Sequence, residues 1–280
     1  MHGNEEGGVI AVMRMLSRIE RLRLRPAGHL VVLGCNLPAL ERRVRYVDHD
    51  LNRMWSPQAP RLIGTEKVSE YQDYLEISDY LETLAEQSAK PLTVIDLHSF
   101  SGKGFPFVIA PDSGCPENLV QDVPFPVIQG LNTFIHGTLC AYLEARGHST
   151  MVLEGGQDAD PAVPVNMEAF LWQALVRMKM IEPDLLPNPT SRTWSELIAE
   201  ESSLPDRVRA VYRHAISSGD NFVMNPGFAS FDPIKKGCPL ATDASGPILA
   251  PMDGWLLMPL YQAQGDDGFF IAVETTASTA

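Results

Sequence analysis

A chain of 280 residues, 45% hydrophobic and 20% charged, can bury a sizeable core as one large domain or two unequal ones. Its net charge of −13 would repel a phosphate backbone, which argues against nucleic-acid binding. No apolar run approaches bilayer length and no signal-peptide pattern opens the sequence, so no membrane association is expected. The scattered cysteines Cys35, Cys115, Cys140 and Cys238 stand at no metal or redox spacing, which fits a reducing compartment and a cytoplasmic location.

In chain order, residues 9–24 carry apolar side chains at helical spacing. "HLVVLGCN" (29–36) reads as a buried strand, bounded by Gly28 and Asn36. Residues 66–87 predict an acidic helix with Val68, Tyr71, Leu75, Ile77, Leu81 and Leu84 on its apolar positions. "PLTVIDLHS" (91–99) and "FPFVIAP" (105–111) read as strands, 131–146 as a helix, "STMVLEGG" (149–156) as a buried strand and 165–179 as a helix. This alternation predicts an open, mostly parallel (mixed) α/β sheet flanked by helices, with ligands gathered beyond the carboxyl ends of the strands.

After Ile181 the pattern changes. "EPDLLPNPTS" (182–191) is proline-rich, and the expected organisation is an α/β domain over 1–190, a linker over 191–207 and a small all-β domain over 208–280. "ILAPMDGWLLM" resembles the hairpin of biotinyl and lipoyl carriers, but its turn, Met252-Asp253-Gly254, has no lysine to modify.

Three polar clusters and one acid sit where strands end. In "HGNE", His2 and Glu5 are three apart, so one turn can aim both at a single point. Alone this is also the pattern of ordinary polar surface. In "TVIDLHS", His98 closes a buried strand and could complete a His, Glu, His set, with Asp96 orienting the imidazole from the same strand face. "RYVDHDLNR" (45–53) is too polar for core and is either a solvated loop or an anion site. There Arg45 could brace a carbonyl gaining charge, while Asn52 and Arg53 could clamp a carboxylate. Glu154 in "MVLEGG" ends a buried strand, where a carboxylate is costly unless paired or functional. It is either an arginine's partner or a general base that takes a proton from water and returns it to a leaving amine.

Taken together and in this order, "HGNE", "RYVDHDLNR", "DLHS" and "LEGG" resemble the aspartoacylase and succinylglutamate desuccinylase family, a relative of the zinc carboxypeptidases. The resemblance runs from residue 2 almost to the end, including "PLYQAQGDDGFF". It implies a zinc-carboxypeptidase-like fold and one Zn2+ held by His2, Glu5 and His98. It further implies Glu154 as acid/base, Arg45 polarising the scissile carbonyl, and Asn52 and Arg53 on the amino acid's carboxylate. The reaction implied is hydrolysis of a small anionic N-acyl amino acid to amino acid and carboxylate. Tyr261 is expected to reach the pocket, as a tyrosine does in some relatives. Two other readings stay open: a zinc carboxypeptidase trimming peptides, and a non-catalytic metal-binding or decayed fragment.

Two departures from the family pattern shape the expectations. Spacing from Glu154 puts Cys140 and Glu144 where relatives specific for aspartate carry a tyrosine and an arginine, so aspartate specificity is not carried over. The strands that precede "HGNE" in the family have no counterpart in this sequence. A chain shortened in that way is expected to expose apolar surface and to hold its metal weakly from a frayed end.

Overall fold

The computed structural model describes residues 1–56, 68–112, 117–121, 123–186 and 204–275. Its first part runs α1 (Gly7–Arg21), α2 (Leu37–Arg42), α3 (Ser69–Gln87), β1 (Thr93–Phe100), β2 (Phe107–Ile109), α4 (Glu117–Val120), β3 (Val127–Gln129), α5 (Leu139–Glu144), β4 (Ser149–Gln157) and α6 (Val163–Arg177). Then follow β5 (Arg207–Ala215), β6 (Val223–Met224), β7 (Pro233–Ile234), β8 (Pro239–Asp243), β9 (Gly246–Leu249), β10 (Gly254–Leu257) and β11 (Asp267–Glu274). Most of the expected linker, residues 191–203, lies outside the described residues.

One eight-stranded sheet has the order β1-β4-β2-β3-β5-β11-β10-β7. It is parallel at β1–β4, β2–β3 and β3–β5 and antiparallel elsewhere, so it is mixed. The β-rich C-terminal part therefore continues the first sheet through the β3–β5 pairing. A second, three-stranded sheet (β6-β8-β9) completes that part.

The β1–β4 pair is the platform of the site. Alternate residues of a strand share a face, so β4 splits into two sets. Met151 and Leu153 are buried against Val163, Met167, Phe170 and Ala174 of α6 and Ala11 of α1, burial that stabilises by roughly 1.5–3 kcal/mol per large apolar side chain. Thr150, Val152 and Glu154 belong to the opposite face and line a cavity. Register pairs His98 with Glu154 and Asp96 with Val152, which places the ligand candidate and the acid candidate side by side at the end of the strands.

Two sequence expectations are corrected. Residues 29–36 are not a buried strand. Leu30, Val31, Val32 and Leu33 are 37–41% exposed, and none of them joins a ladder among the described residues. A strand is defined by the backbone partners it finds, and apolar composition alone supplies none. The helix expected over 131–146 is a 3-10 turn, Leu131–Thr133, followed by α5. The break is at Gly137, whose φ of +73° suits glycine and which packs so closely on the Arg53 carbonyl that a Cβ would stand 2.5 Å from it. Thr138 then starts α5 as an N-cap, accepting from the Ala141 amide.

Candidate active site

His2 and Glu5 lie on the turn that leads into α1, with the Glu5 amide donating to the His2 carbonyl. Gly3 makes this turn possible: a Cβ there would sit about 2.0 Å from the Ala39 backbone, so no other residue could bring the histidine so far in. The result is far from a frayed end. His2, Glu5 and His98 are 6%, 6% and 4% exposed.

The three side chains converge. Nδ1 of His2 is 2.7 Å from Glu5 Oε1, and Nδ1 of His98 is 2.8 Å from Glu5 Oε2. The imidazole centroids stand 4.9 Å apart. Each ring also has a carboxylate on its other nitrogen, Asp50 at 3.1 Å for His2 and Asp96 at 3.0 Å for His98. Burial opposes charging His98, but Asp96 and Glu5 outweigh it and lift its pKa to about 10. Burial likewise opposes ionising Glu5, yet both histidines hold it well below the usual carboxylate range. Protons thus bridge positions that a cation could bridge instead.

The donor set fits such a cation. One ligand atom from each of His2, Glu5 and His98 lies within 4.8 Å of the others, and two imidazoles with one carboxylate is a recurrent catalytic zinc set. With Nδ1 turned inward on both rings, Asp50 and Asp96 would fix the ring orientation from behind. Asp96 was expected in that role, whereas Asp50 was missed. It sits 48 residues from His2, and nothing local in the sequence links the two.

Residues 45–53 wrap this centre and owe their shape to a residue the sequence did not single out. Glu70, fully buried on α3, accepts from the backbone amides of Val47, Asp48 and His49 at 2.6, 3.2 and 3.1 Å, and from Asn36 Nδ2 at 3.4 Å. The loop then aims Arg45 at Glu5 (3.3 Å) and Asp50 (3.2 Å). Asn52 Oδ1 accepts from the Leu139 amide at the start of α5, and its Nδ2 lies 3.4 Å from His98 Nε2. Arg53 reaches Asp267 at 3.1 Å and Asp266 at 3.7 Å, tying the loop to β11.

Glu154 faces the same cavity, 7% exposed, with an Oε2 that has no hydrogen-bond partner. Burial pushes its pKa up to about 8, with His98 and Arg45 pulling down and Glu5 and Asp158 pushing up. A buried carboxyl with one oxygen lacking a partner is a candidate reacting group, and a dication beside it would draw the value back down. Two further polar groups went unread in the sequence: Ser99 donates to Asp158 Oδ1 at 2.7 Å, and Asn4 Nδ2 donates to Asp158 Oδ2 and to Gln262 Oε1, both at 3.2 Å.

The cavity, about 180 Å³, is lined by His2, Glu5, Arg45, Asn52, Arg53, His98 and Glu154. Tyr261 does not line it. Its hydroxyl donates to the Asn225 carbonyl at 2.7 Å and accepts from the Phe228 amide at 3.1 Å, which turns it toward the C-terminal strands. Leu260 and Gln262, on either side of it, line the cavity instead.

This geometry can be set against known proteins. Residues 1–116 match the Succinylglutamate desuccinylase/Aspartoacylase catalytic domain. The match covers three of the four motifs, "HGNE", "RYVDHDLNR" and "DLHS", and with them all three metal-ligand candidates. Glu154 lies beyond the matched residues. The fold extends the likeness over the whole chain. A succinylglutamate desuccinylase from Vibrio parahaemolyticus superposes with a TM-score of 0.69 at 14% identity, covering 98% of this chain and 80% of that one. The Chromobacterium violaceum succinylglutamate desuccinylase gives 0.67 at 18% identity, covering 98% and 83%. Murine aminoacylase 3 gives 0.58 at 17% identity, covering 97% and 92%. No curated protein sequence matches the chain.

Proposed function

We propose that the protein is a metal-dependent deacylase that hydrolyses the amide bond of a small N-acyl amino acid, releasing the amino acid and a carboxylate. One observation carries this reading: His2, Glu5 and His98, drawn from two separate segments, meet at one buried point beside an unpartnered Glu154 oxygen. A divalent cation held there, zinc by the donor set, would supply an acidified water and a positive charge beside the scissile carbonyl.

The chain's own residues do the rest. Arg45, held by Asp50, presents a guanidinium where the carbonyl oxygen gains charge, worth about 3 kcal/mol if it acts as one donor of an oxyanion site. Glu154 takes the proton from the attacking water and returns it to the amine as the C–N bond breaks. Asn52 and Arg53 border the same space and orient the substrate's carboxylate. Arg53 would then exchange part of its contact with Asp266 and Asp267 for that carboxylate, so the substrate carries a free carboxylate at this end. A solute of this kind needs no macromolecular partner and suits a cytoplasmic enzyme. No helix among the described residues is long and apolar enough to cross a membrane.

A carboxypeptidase reading is less well supported, because Leu260, Gln262, Asp266 and Asp267 border the cavity and would crowd a peptide chain leading out of it. The test is Glu154→Gln on protein assayed for bound metal and for hydrolysis of a panel of N-acyl amino acids. The expected result is metal retained and kcat lowered about 10²- to 10⁴-fold. Unchanged turnover in a metal-loaded variant would remove Glu154 from the reaction.

A further inference from the structure

The cavity has a second end. Two residues along a strand advance roughly 6.6 Å, so Val152 and Thr150 continue the row begun by Glu154, with Thr150 roughly 13 Å from it along β4. All three line the cavity. Thr150 is fully buried, and its hydroxyl donates to Glu144 Oε1 at 2.5 Å. Glu144 is half-buried at the end of α5 and lines the same space, together with Cys140, Ile109, Leu131 and Ile135.

No basic group among the described residues answers this carboxyl. Among the described residues Glu144 forms no ion pair. Arg146, two residues on, lies over the Tyr142 ring at 3.4 Å and donates to the Tyr142 carbonyl. Arg209 makes two bonds to Asp112, at 2.9 and 3.1 Å. The cationic groups that line the cavity, Arg45 and Arg53, are at the metal end. Burial raises the Glu144 pKa, Asp112 adds to the rise and the Thr150 hydroxyl opposes it. Burial raises the Cys140 thiol further still, so that side chain stays neutral.

The cavity is thus polarised along its length, with cations and ligands at one end and an apolar barrel closed by a hydrogen-bonded acid at the other. We infer that the inner end receives the substrate's side chain and selects an ammonium on a long apolar stem, making the preferred substrates N-acylated diamino acids of lysine or ornithine type. A second carboxylate, as in aspartate or glutamate, would meet Glu144 with like charge in a poorly solvated space, which costs affinity. An ammonium gains a charge-assisted hydrogen bond there, and its methylene stem covers Ile109, Leu131 and Ile135.

This inference rests on the deacylase reading for its orientation of the substrate, so binding and turnover are measured separately. Lysine, norleucine and glutamate are titrated calorimetrically into the metal-loaded protein, and their Nα-acetyl forms are assayed for hydrolysis. Lysine should bind at least 10-fold tighter than glutamate and more tightly than norleucine. Glu144→Gln keeps an acceptor for Thr150 and nearly the same shape, and should lower the lysine-to-norleucine affinity ratio about 10-fold. Glu144→Lys should invert the order of lysine and glutamate. Glutamate preferred by the unaltered protein, a ratio unmoved by Glu144→Gln, or no binding by any of the three would overturn the inference. The expected binding order without hydrolysis of any acetyl form would instead sink the deacylase reading and leave the charge selection standing.

Discussion

Residues 29–36 and 45–53 both lie outside the sheets and the α-helices, the second ending in a 3-10 turn, Leu51–Arg53, and they behave in opposite ways. The first is almost wholly apolar, yet its four central side chains are about two-fifths exposed and its backbone joins no ladder among the described residues. The second is almost wholly polar, yet Asn52 is buried, Arg45 and Asp50 are largely so, and its amides are gathered onto Glu70. Order in this part of the molecule follows hydrogen-bond satisfaction more closely than hydropathy. A segment becomes fixed when its backbone groups find partners, and side-chain character decides only whether the partners are worth finding.

The most direct way to break this contrast is to remove the group that gathers the loop. Glu70→Gln offers one acceptor oxygen where the carboxylate offered two, and sets an amide nitrogen against backbone N–H donors. Leaving buried amides unmatched should lower stability by about 2–3 kcal/mol. In a chain of this size that lowers the melting midpoint by roughly 4–12 °C. Because Arg45, Asn52 and Arg53 all ride on the loop, kcat/KM on any accepted substrate should fall with it. A Glu70→Gln protein with unchanged melting and unchanged kinetics would show that the loop is held by something other than these bonds.

A smaller effect separates the loop's structural duty from the role proposed for it at the candidate metal centre. Asp50 belongs to the loop and faces His2, whereas Asp96 belongs to β1 and faces His98. If both only orient imidazoles, Asp50→Asn and Asp96→Asn should each weaken zinc affinity 10- to 100-fold, measured by competition with a chromogenic chelator. Asp50 has further duties, since it accepts from the Asn52 amide and from Arg45. Its variant should therefore also raise KM, which Asp96→Asn should not. Equal kinetic behaviour of the two variants would mean that the loop contributes nothing beyond the carboxylate itself.

The same contrast explains what the sequence could and could not reveal. The β1 and β4 strands were legible because apolar β-branched runs ending in polar residues have one common solution, a buried parallel pair with chemistry at the exit. His98 and Glu154 stood out as costly residues at such an exit, whereas His2 and Glu5, on the turn into α1, stood out by their spacing and in company with His98. Glu70 was not, since its value depends on three backbone amides more than twenty positions away, and an acidic residue on an acidic helix carries no mark of that. Asp50 hid among the other polar residues of its cluster for the same reason. The strand expected at 29–36 failed because sequence shows a segment's tendency and never its partner. The helix expected over 131–146 failed because apolar periodicity masked Gly137, whose close approach to Arg53 became visible only with the loop in place.

The smallest expected effect is at the apolar segment, and it tests the comparison from the other side. Val32 is 41% exposed, so Val32→Thr, which keeps β-branching and nearly the same volume, removes little buried area and strands no polar group. Stability should change by less than about 0.5 kcal/mol, in contrast to the loss expected at Glu70. Solubility should rise, because a run of exposed apolar residues with unpaired backbone is a template for association. Both are read from one preparation, the first by chemical denaturation and the second by light scattering at increasing concentration. A loss of 2 kcal/mol or more at Val32 would mean that this segment is packed in solution. The distinction drawn between it and the Glu70-bound loop would then reduce to which partner each has found.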